Sequence, residues 1–464
     1  MQLIEALRYS QPSSLAFVGA GGKTTALFRT ARELLTASSN EGLFATILVT
    51  ATTHLGSWQS GKADHFLIVN SLSDIDNLEK DLPKGVVLLT GKGKNNLLGG
   101  LAPRLIERVR ALSEHHNFPL LIEADGSHTC PLKAPAMHEP AIPDFAQNVI
   151  VVAGLQGLGK PLTKDWIHRP EKFQELSGLD SGEEVTGDAL VKVLLHKNGG
   201  LKNIPSSARR FVLLNQADNP RLQSQAKTIS EQLIPAYHSS IIASLSGEIS
   251  GIPSLEDPTP DLQKGIYAVI EQIGGIILAA GGSSRFGEPK QLLRWKDQPL
   301  IRHVANSALK AGLSPVVVVV GSSAAEVNSA INDLPVRIVN NIDWKTGLSS
   351  SIRLGISSLP REIGGAVFLQ SDQPQIPYSL IKSLVEVHQA TLNPIIAPQI
   401  DGQRGNPVLF DSSTFPRLLL LEGDMGGRAL FSQFPVQWVI WHDPKLLFDI
   451  DTPEDFHKFL DIYQ

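Results

Sequence analysis

Short apolar runs that end in glycine, serine or acidic loops recur along the chain, separated by stretches of helical period. Leu15-Ala-Phe-Val18, Ala45-Thr-Ile-Leu-Val49, Leu120-Leu-Ile122, Val149-Ile-Val-Val-Ala153 and Phe211-Val-Leu-Leu214 are such runs in the first half. Ile276-Ile-Leu-Ala-Ala280, Pro315-Val-Val-Val-Val-Val320, Val336-Arg-Ile-Val339 and Ala366-Val-Phe-Leu369 are their counterparts in the second. Runs that are apolar throughout read as strands buried on both faces, as in a parallel sheet. Ala26 to Thr36 reads as a helix with Leu27, Phe28, Ala31, Leu34 and Leu35 on its buried side, and Leu300 to Ala311 as another. Ser349-Ser-Ser-Ile352 opens a helix with serine available as its cap, and Thr452 caps a final helix with Pro453 in its first turn. Before that helix, Leu446-Leu-Phe-Asp-Ile-Asp451 reads as a strand with Asp449 and Asp451 on one face. Strands alternating with helices predict an α/β fold.

Ser244 to Asp261 interrupts the alternation with a stretch dense in Ser, Gly and Pro that has no sustained period. It reads as a linker, and 464 residues are too many for one typical core. The expected organisation is an α/β domain over 1–243, a linker over 244–272 and a second α/β domain over 273–464. No internal repeat is evident.

Composition narrows the function classes. Apolar content of 42% and charged content of 19% are those of a folded globular chain. A formal net charge of −5 offers no general attraction to nucleic acid or an anionic membrane, so phosphate binding is expected to be local. The single Cys130 excludes an internal disulfide framework and a multi-cysteine metal site. The start of the chain lacks the pattern of a secretory signal, and no segment is apolar for the ~18 residues a span requires, so a cytoplasmic location is expected.

Candidate chemistry begins after the first strand. Gly19-Ala-Gly-Gly-Lys-Thr-Thr25 lies between a strand and a helix, the context in which a glycine loop cradles phosphates. Gly19, Gly21 and Gly22 let the backbone approach, Lys23 supplies a point charge, and the Thr24 hydroxyl suits Mg²⁺. The spacing departs from the standard loop, which places a glycine where this chain has Phe17. Its shorter form resembles the ATP loop of the Mur ligases. Glu123 and Asp125, two apart at a strand end, are candidates for the metal or its water shell, Asp125 the stronger. Asn215-Gln-Ala-Asp218 resembles the guanine-reading element of GTPases with Gln216 in the lysine's place, so Asn215 and Asp218 are candidate base contacts and ATP and GTP both stay open. His54, His128, Cys130 and His138 have spacings that fit no metal signature.

These loops, with Thr50-Ala-Thr-Thr-His54, Pro131-Leu-Lys-Ala-Pro135, His138-Glu-Pro140 and His168-Arg-Pro-Glu171, together resemble the YqeC-type accessory proteins of selenium-dependent molybdenum hydroxylases. The resemblance covers roughly the first half. It implies a P-loop-like nucleotide-binding domain and a place in a pathway, with an apo molybdenum hydroxylase as a possible partner.

The second half opens on Ile276-Ile-Leu-Ala-Ala280 running into Gly281-Gly-Ser-Ser, followed by Arg285 and Lys290 with Gly287 and Pro289 between. A strand that ends in a glycine loop with two cations at fixed offsets suits a triphosphate. Asp372 ends a buried strand and is followed by Gln373-Pro374. With Asp451 it is a candidate Mg²⁺ ligand at the active edge.

Leu278-Ala-Ala-Gly-Gly-Ser-Ser-Arg-Phe-Gly-Glu-Pro-Lys290, Ser371-Asp-Gln-Pro374, Arg404-Gly-Asn-Pro407, Gly423-Asp-Met-Gly-Gly-Arg428 and Asp449-Ile-Asp-Thr-Pro453 resemble the molybdenum cofactor cytidylyltransferases. The resemblance implies a Rossmann-like nucleotidyltransferase domain with a mostly parallel sheet, using Mg²⁺, CTP and molybdopterin. Guanylyltransferases of this group carry Leu-Ala-Gly-Gly where this chain has Leu278-Ala-Ala-Gly281, which favours CTP. Phe286 stands where Met is usual and Gly427 where Ala is usual. In the mechanism so implied, Arg285 grips the β- and γ-phosphates and Lys290 stabilises charge on the α-phosphate. Asp372 and Asp451 hold the metal. Backbone at Ala279, Ala280, Gly281 and Gly282, with Gly321, Gly347 and Ser349, holds the nucleoside. Gly405, Asn406 and Arg428 face the pterin. The competing readings are a transferase using GTP or a sugar or polyol phosphate, and a nucleotide-gated cofactor chaperone in the first half. A nicotinamide dehydrogenase is disfavoured because neither glycine loop has Gly-x-Gly-x-x-Gly spacing.

Overall fold

The computed structural model describes residues 1–9, 11–41, 45–94, 96–126, 129–245, 265–282 and 286–463. Two compact units divide the chain, Met1–Ile270 and Glu271–Gln464.

In the first unit nine strands form one sheet. They are β1 (Ser14–Gly19), β2 (Thr46–Ala51), β3 (His65–Ile68), β4 (Gly85–Thr90), β5 (Leu120–Glu123), β6 (Asn148–Gly154), β7 (Arg209–Asn215), β8 (Ser239–Ala243) and β9 (Ile266–Glu271). Their order across the sheet is β9-β8-β7-β6-β1-β5-β2-β4-β3, and β1 to β8 pair in parallel throughout. The expected apolar runs are its inner strands because both faces are covered. Ala16 and Val18 pack into one core and Leu48, Leu120 and Ile122 into another. β1 lies between β5 and β6, so the loops after β1, β5 and β6 gather at one carboxyl edge. Helix α1 (Lys23–Glu41) begins directly at the glycine loop, three residues earlier than its apolar period indicates.

The linker expected over 244–272 falls mostly on 246–264, outside the described residues. Its last part is not linker. Ile266–Glu271 is β9, which hydrogen-bonds along β8, and its Val269 and Ile270 are buried. The physical reason is that β8 is buried along its whole length and needs a neighbour on that side.

The second unit has strands β10 (Ile273–Ala279), β11 (Val316–Val320), β12 (Arg337–Asn340), β13 (Gly365–Gln370), β14 (Ile395–Ile400), β15 (Gln403–Arg404), β16 (Val408–Asp411) and β17 (Val436–Ile440). The order is β12-β11-β10-β13-β16-β14-β15, with β17 beside β14. The pairings from β12 to β13 are parallel; β16 then inserts antiparallel between β13 and β14. The sheet is thus mixed. Alternate residues of each central strand serve opposite cores. Ile277, Ala279, Val316 and Val318 pack with helix α2 (Leu300–Lys310), while Ile276, Leu278, Val317 and Val319 pack with α3 (Leu348–Ser357).

Two local expectations are corrected. Helix α3 is not capped by serine. Its cap position is Gly347 at φ +112, and the Ser350 hydroxyl donates back to the Gly347 carbonyl at 2.8 Å. Leu446–Asp451 joins no sheet, for a 3-10 turn occupies Pro444–Leu447. Only the alternation survives, with Ile450 buried between exposed Asp449 and Asp451. The final helix α4 (Pro453–Ile462) starts as expected, with the Thr452 hydroxyl accepting from the Asp455 amide and Asp455 returning a capping box. Among the described residues no helix is long and apolar enough to cross a membrane.

Candidate functional site

In the second unit β10 and β13 are neighbours, Leu278 opposite Gln370, so the loops Ala280–Gly282 and Ser371–Asp372 leave the sheet side by side. This is where the strand order reverses, the usual ligand position on an open α/β sheet. The Lys290 ammonium projects here. It donates to the Ile450 carbonyl at 2.7 Å, to Asp451 Oδ1 at 2.9 Å and to Asp372 Oδ2 at 3.3 Å. Residues far apart in sequence thus converge on one nitrogen. Burial works to depress the Lys290 pKa, but the Asp451 hydrogen bond and the Asp372 charge override it and raise the value. Burial raises Asp372, with Lys290 opposing.

The segment that carries Asp451 has no ladder, so side chains must hold it. Gln373 Nε2 donates to Asp449 at 2.6 Å, and Gln375 Nε2 to the Phe448 carbonyl at 2.7 Å. Phe286 packs with Leu300, Ile450 and Phe459 and so clamps the same segment from the glycine-loop side. The sequence signalled Gln373 only as part of a motif and Gln375 not at all, because their partners lie more than 70 residues away.

Beside these carboxylates is an open cleft of about 440 Å³, lined among others by Ala280, Gly281, Gly282, Lys290, Trp344 and Gly347. Gly347 cannot be replaced without distortion. Its φ is +112, and a Cβ there would lie 2.3 Å from the Gly423 carbonyl carbon. Gly321 supports the cleft from behind, where a Cβ would meet the Ala280 carbonyl oxygen at 2.6 Å. The side chains of two expected backbone contacts do not enter the cleft. The Ala279 side chain is buried in the core, and Ser349 is fully buried with Arg353 donating to its hydroxyl at 3.2 Å; of the expected loop 347–351, Gly347, Leu348 and Ser351 line the cleft. Arg285 lies outside the described residues. Phe368 pairs with Val408, so Gly405 and Asn406 enter β16 at the edge where Asp372 leaves β13. Arg428 is exposed and close enough to Arg404 to oppose its charge. Neither Gly405, Asn406 nor Arg428 lines the cleft. Gly427 has a packing reason, since a Cβ would stand 2.6 Å from the buried Phe410 ring.

In the first unit the glycine loop closes on a buried chain of charge. Lys23 Nζ donates to the Gly19 carbonyl at 2.9 Å and pairs with Asp125 at 3.2 Å; the two side chains are only 3% and 2% exposed. Asp125 also accepts the Gly19 amide at 2.9 Å and Lys133 at 2.8 Å. Lys133 continues to Glu139 at 3.0 Å, and Arg169 takes Glu139 in a two-pronged pair at 2.7 and 3.0 Å. Burial opposes the Glu139 charge, yet Arg169 and Lys133 hold its pKa down to about 2.

This arrangement reassigns the metal candidates. Both oxygens of Asp125 are engaged by cations and an amide, whereas Glu123 accepts the Thr24 hydroxyl at 2.9 Å beside an open cavity. Burial raises Glu123, with Lys23 opposing. Asn215 is also reassigned. Its amide donates to the Gly21 carbonyl at 2.8 Å and its carbonyl accepts from the Leu245 amide at 2.9 Å, so this buried side chain braces the loop. Asp218 accepts from Gln156 at 2.8 Å and from Ser244. Lys133, Glu139 and Arg169 stood in quoted motifs, but nothing local to the sequence reveals their pairing. Among the described residues His54, Cys130 and His138 form no metal-ligating group; one such group is Glu79, His115 and His116, where Arg108 also binds Glu79.

Comparison with known proteins follows the same division. Residues 15–171 match the YqeC protein family model, and residues 275–438 match the MobA-like NTP transferase domain. The chain is 32% identical over 250 residues to the uncharacterized protein YqeC of Escherichia coli (strain K12), covering 53% of this chain and 91% of that one. It is 30% identical over 198 residues to nicotine blue oxidoreductase of Paenarthrobacter nicotinovorans, covering 40% and 96%. It is 24% identical over 182 residues to the molybdenum cofactor cytidylyltransferase of Escherichia coli (strain K12), covering 39% and 92%. The chain therefore belongs to the YqeC family through its first unit and to the MobA-like NTP transferases through its second, a fusion of the two.

Proposed function

We propose that the second unit transfers CMP from CTP to molybdopterin, giving molybdopterin cytosine dinucleotide and pyrophosphate, for the maturation of molybdenum hydroxylases. The observation that carries the reading is the meeting of Lys290, Asp372 and Asp451 at one edge of a glycine-lined cleft. An oxygen of the molybdopterin phosphate forms the new bond to the α-phosphorus of CTP. The bond from that phosphorus to the oxygen bridging to the β-phosphate breaks, and pyrophosphate leaves. Such a reaction asks the protein for positioning and charge neutralisation rather than covalent chemistry. Lys290 supplies positive charge where the α-phosphate gains negative charge. Gly281 and Gly282 bring backbone close to the nucleotide, and Arg285 grips the outer phosphates. Gly405, Asn406 and Arg428 receive the acceptor.

Asp372 and Asp451 suit Mg²⁺, since both are hard oxygen donors and already enclose a cation, the Lys290 ammonium. When bound, the ion supplies further charge against the triphosphate oxygens. Preference for CTP rests on Ala280, whose methyl occupies space that glycine leaves open.

The cytidylyltransferase relative supports the reading. The oxidoreductase relative favours a second one, a redox enzyme on the same domain. The triad of Lys290 and two carboxylates, and a glycine loop without Gly-x-Gly-x-x-Gly spacing, favour the transferase. Incubation with Mg²⁺, molybdopterin and each nucleoside triphosphate, with mass analysis of the product, tests the first, and a parallel incubation with reduced nicotinamide and an oxidised dye tests the second. The cytosine dinucleotide with pyrophosphate is expected. Oxidation of reduced nicotinamide without pyrophosphate would overturn the proposal. Lys290→Ala and Asp372→Ala are expected to abolish pyrophosphate release with the fold intact by circular dichroism.

For the first unit we infer that the loop Gly19–Thr24 holds the phosphates of ATP or GTP, in a domain that serves an apo molybdenum hydroxylase.

A further inference from the structure

The cavity of about 700 Å³ over the first glycine loop holds more than a phosphate site requires. The strand pair Leu55–Gly56 and Leu97–Leu98, antiparallel with Gly56 opposite Leu97, brings two apolar side chains to its rim. Trp58 is 65% exposed and Leu97 46% exposed, and both line the cavity. The indole is seated rather than loose, because Gly56 leaves room for it: a Cβ there would stand 2.5 Å from Trp58 Nε1. Lys62 stands 5.6 Å from the ring centre, and the ring stays largely open to solvent. Deeper in, Gln59 is buried and donates from Nε2 to the Thr24 hydroxyl oxygen at 3.2 Å, while its Oε1 has no partner among the described residues. Thr53 Oγ1, on the same wall, is also buried without a partner. Thr24 in turn donates to buried Glu123.

A buried, unpartnered amide oxygen in a residue that lines a cavity calls for a donor or a cation, and a phosphate oxygen is neither. The water shell of a divalent cation is a donor. A largely exposed indole beside a glycine loop offers a face to a planar ring.

We propose that this cavity binds a nucleoside triphosphate with its base on the Trp58–Leu97 platform. Thr24 and Glu123 would hold a divalent cation with its water shell beside the phosphates, and Gln59 Oε1 would accept from that shell. The inference rests on the phosphate-loop reading of Gly19–Thr24 and adds the base platform and the cation ligands.

The test reads the site locally in the full-length chain, since the second unit also has a nucleotide cleft. Amide hydrogen exchange of residues 19–25 is titrated with the Mg²⁺ complex of a non-hydrolysable ATP analogue, and separately with Mg²⁺-tripolyphosphate. Both should protect the loop. Trp58→Ala should weaken protection by the analogue about tenfold, the scale of one base stack, and leave the tripolyphosphate midpoint unchanged. Trp58→Phe should restore the analogue, and Glu123→Gln should weaken both ligands and flatten their Mg²⁺ dependence. Equal analogue binding by wild type and Trp58→Ala would overturn the platform, and an unaltered Mg²⁺ dependence in Glu123→Gln would overturn the cation site. If neither ligand protects the loop, the phosphate-loop reading itself fails, a result distinct from both.

Discussion

Glu139 shows how strongly a single carboxylate can be committed by its neighbours. Burial disfavours its charge, but Arg169 and Lys133 hold the pKa at about 2, below the ordinary 4.5. A carboxylate depressed on folding stabilises the folded state fully above its unfolded pKa and stops doing so as pH falls through the folded value. The window is therefore between about 4.5 and about 2. Urea midpoints of wild type and Glu139→Gln should differ most at neutral pH and converge across that window. A difference that persists at the acid end would show that the side chain acts through packing instead. Gly427 makes a steric counterpart. Gly427→Ala drives a methyl into the Phe410 ring, which is itself packed against Phe368 and Phe431. The expected loss is about 1–3 kcal/mol, measured by urea unfolding of the second unit.

At the scale of elements, the segment ending in Asp451 joins no sheet, and side chains tie it to its neighbours. Gln375 carries its position through one bond to the Phe448 carbonyl. Gln375→Ala should raise the Mg²⁺ concentration needed for pyrophosphate release about tenfold, as loss of a partner behind a metal ligand does, with CTP affinity little changed. A Mg²⁺ dependence equal to wild type would show that the segment holds itself. The same segment marks a limit of what the sequence discloses. Asp372 and Asp451 were candidates because each stands near the end of an apolar run, and Lys290 because it follows a glycine loop at a fixed offset. The bonds that join them were not legible, because Gln373 and Gln375 find their partners across the fold. Central strands were legible for the same local reason, being apolar throughout. β12 was marked by the run Val336-Arg-Ile-Val339 although it is half exposed; β17, also half exposed, was not, and the position of β16 between β13 and β14 depends on a pairing that no local pattern encodes. In the first unit the glycine loop was evident and its cation partner was not. Asp125 looks like a ligand in sequence, but Lys133 reaches it from the short strand Leu132–Lys133, and Glu123 lines the cavity.

At the scale of the whole molecule, the residues named for each candidate site fall within one unit. Lys23, Thr24, Glu123 and Trp58 lie within 1–270, and Lys290, Asp372 and Asp451 within 271–464. Each unit also has its own buried cores, so each should fold alone, provided the cut respects β9. The sequence invites a cut in the Ser-, Gly- and Pro-rich stretch, but that would leave Ile266–Glu271 on the wrong fragment. Without β9 the fully buried β8 becomes a bare edge, and Val269 and Ile270 lose their burial, worth about 1.5–3 kcal/mol for each side chain. A fragment 1–271 should therefore unfold in one cooperative transition, whereas 1–245 should melt lower or aggregate. Fragment 272–464 should retain CTP-dependent pyrophosphate release and lose it with Lys290→Ala. Equal melting of 1–245 and 1–271 would show that β9 adds nothing to the first sheet. Inactive but folded 272–464 would show that the transfer site needs the first unit after all.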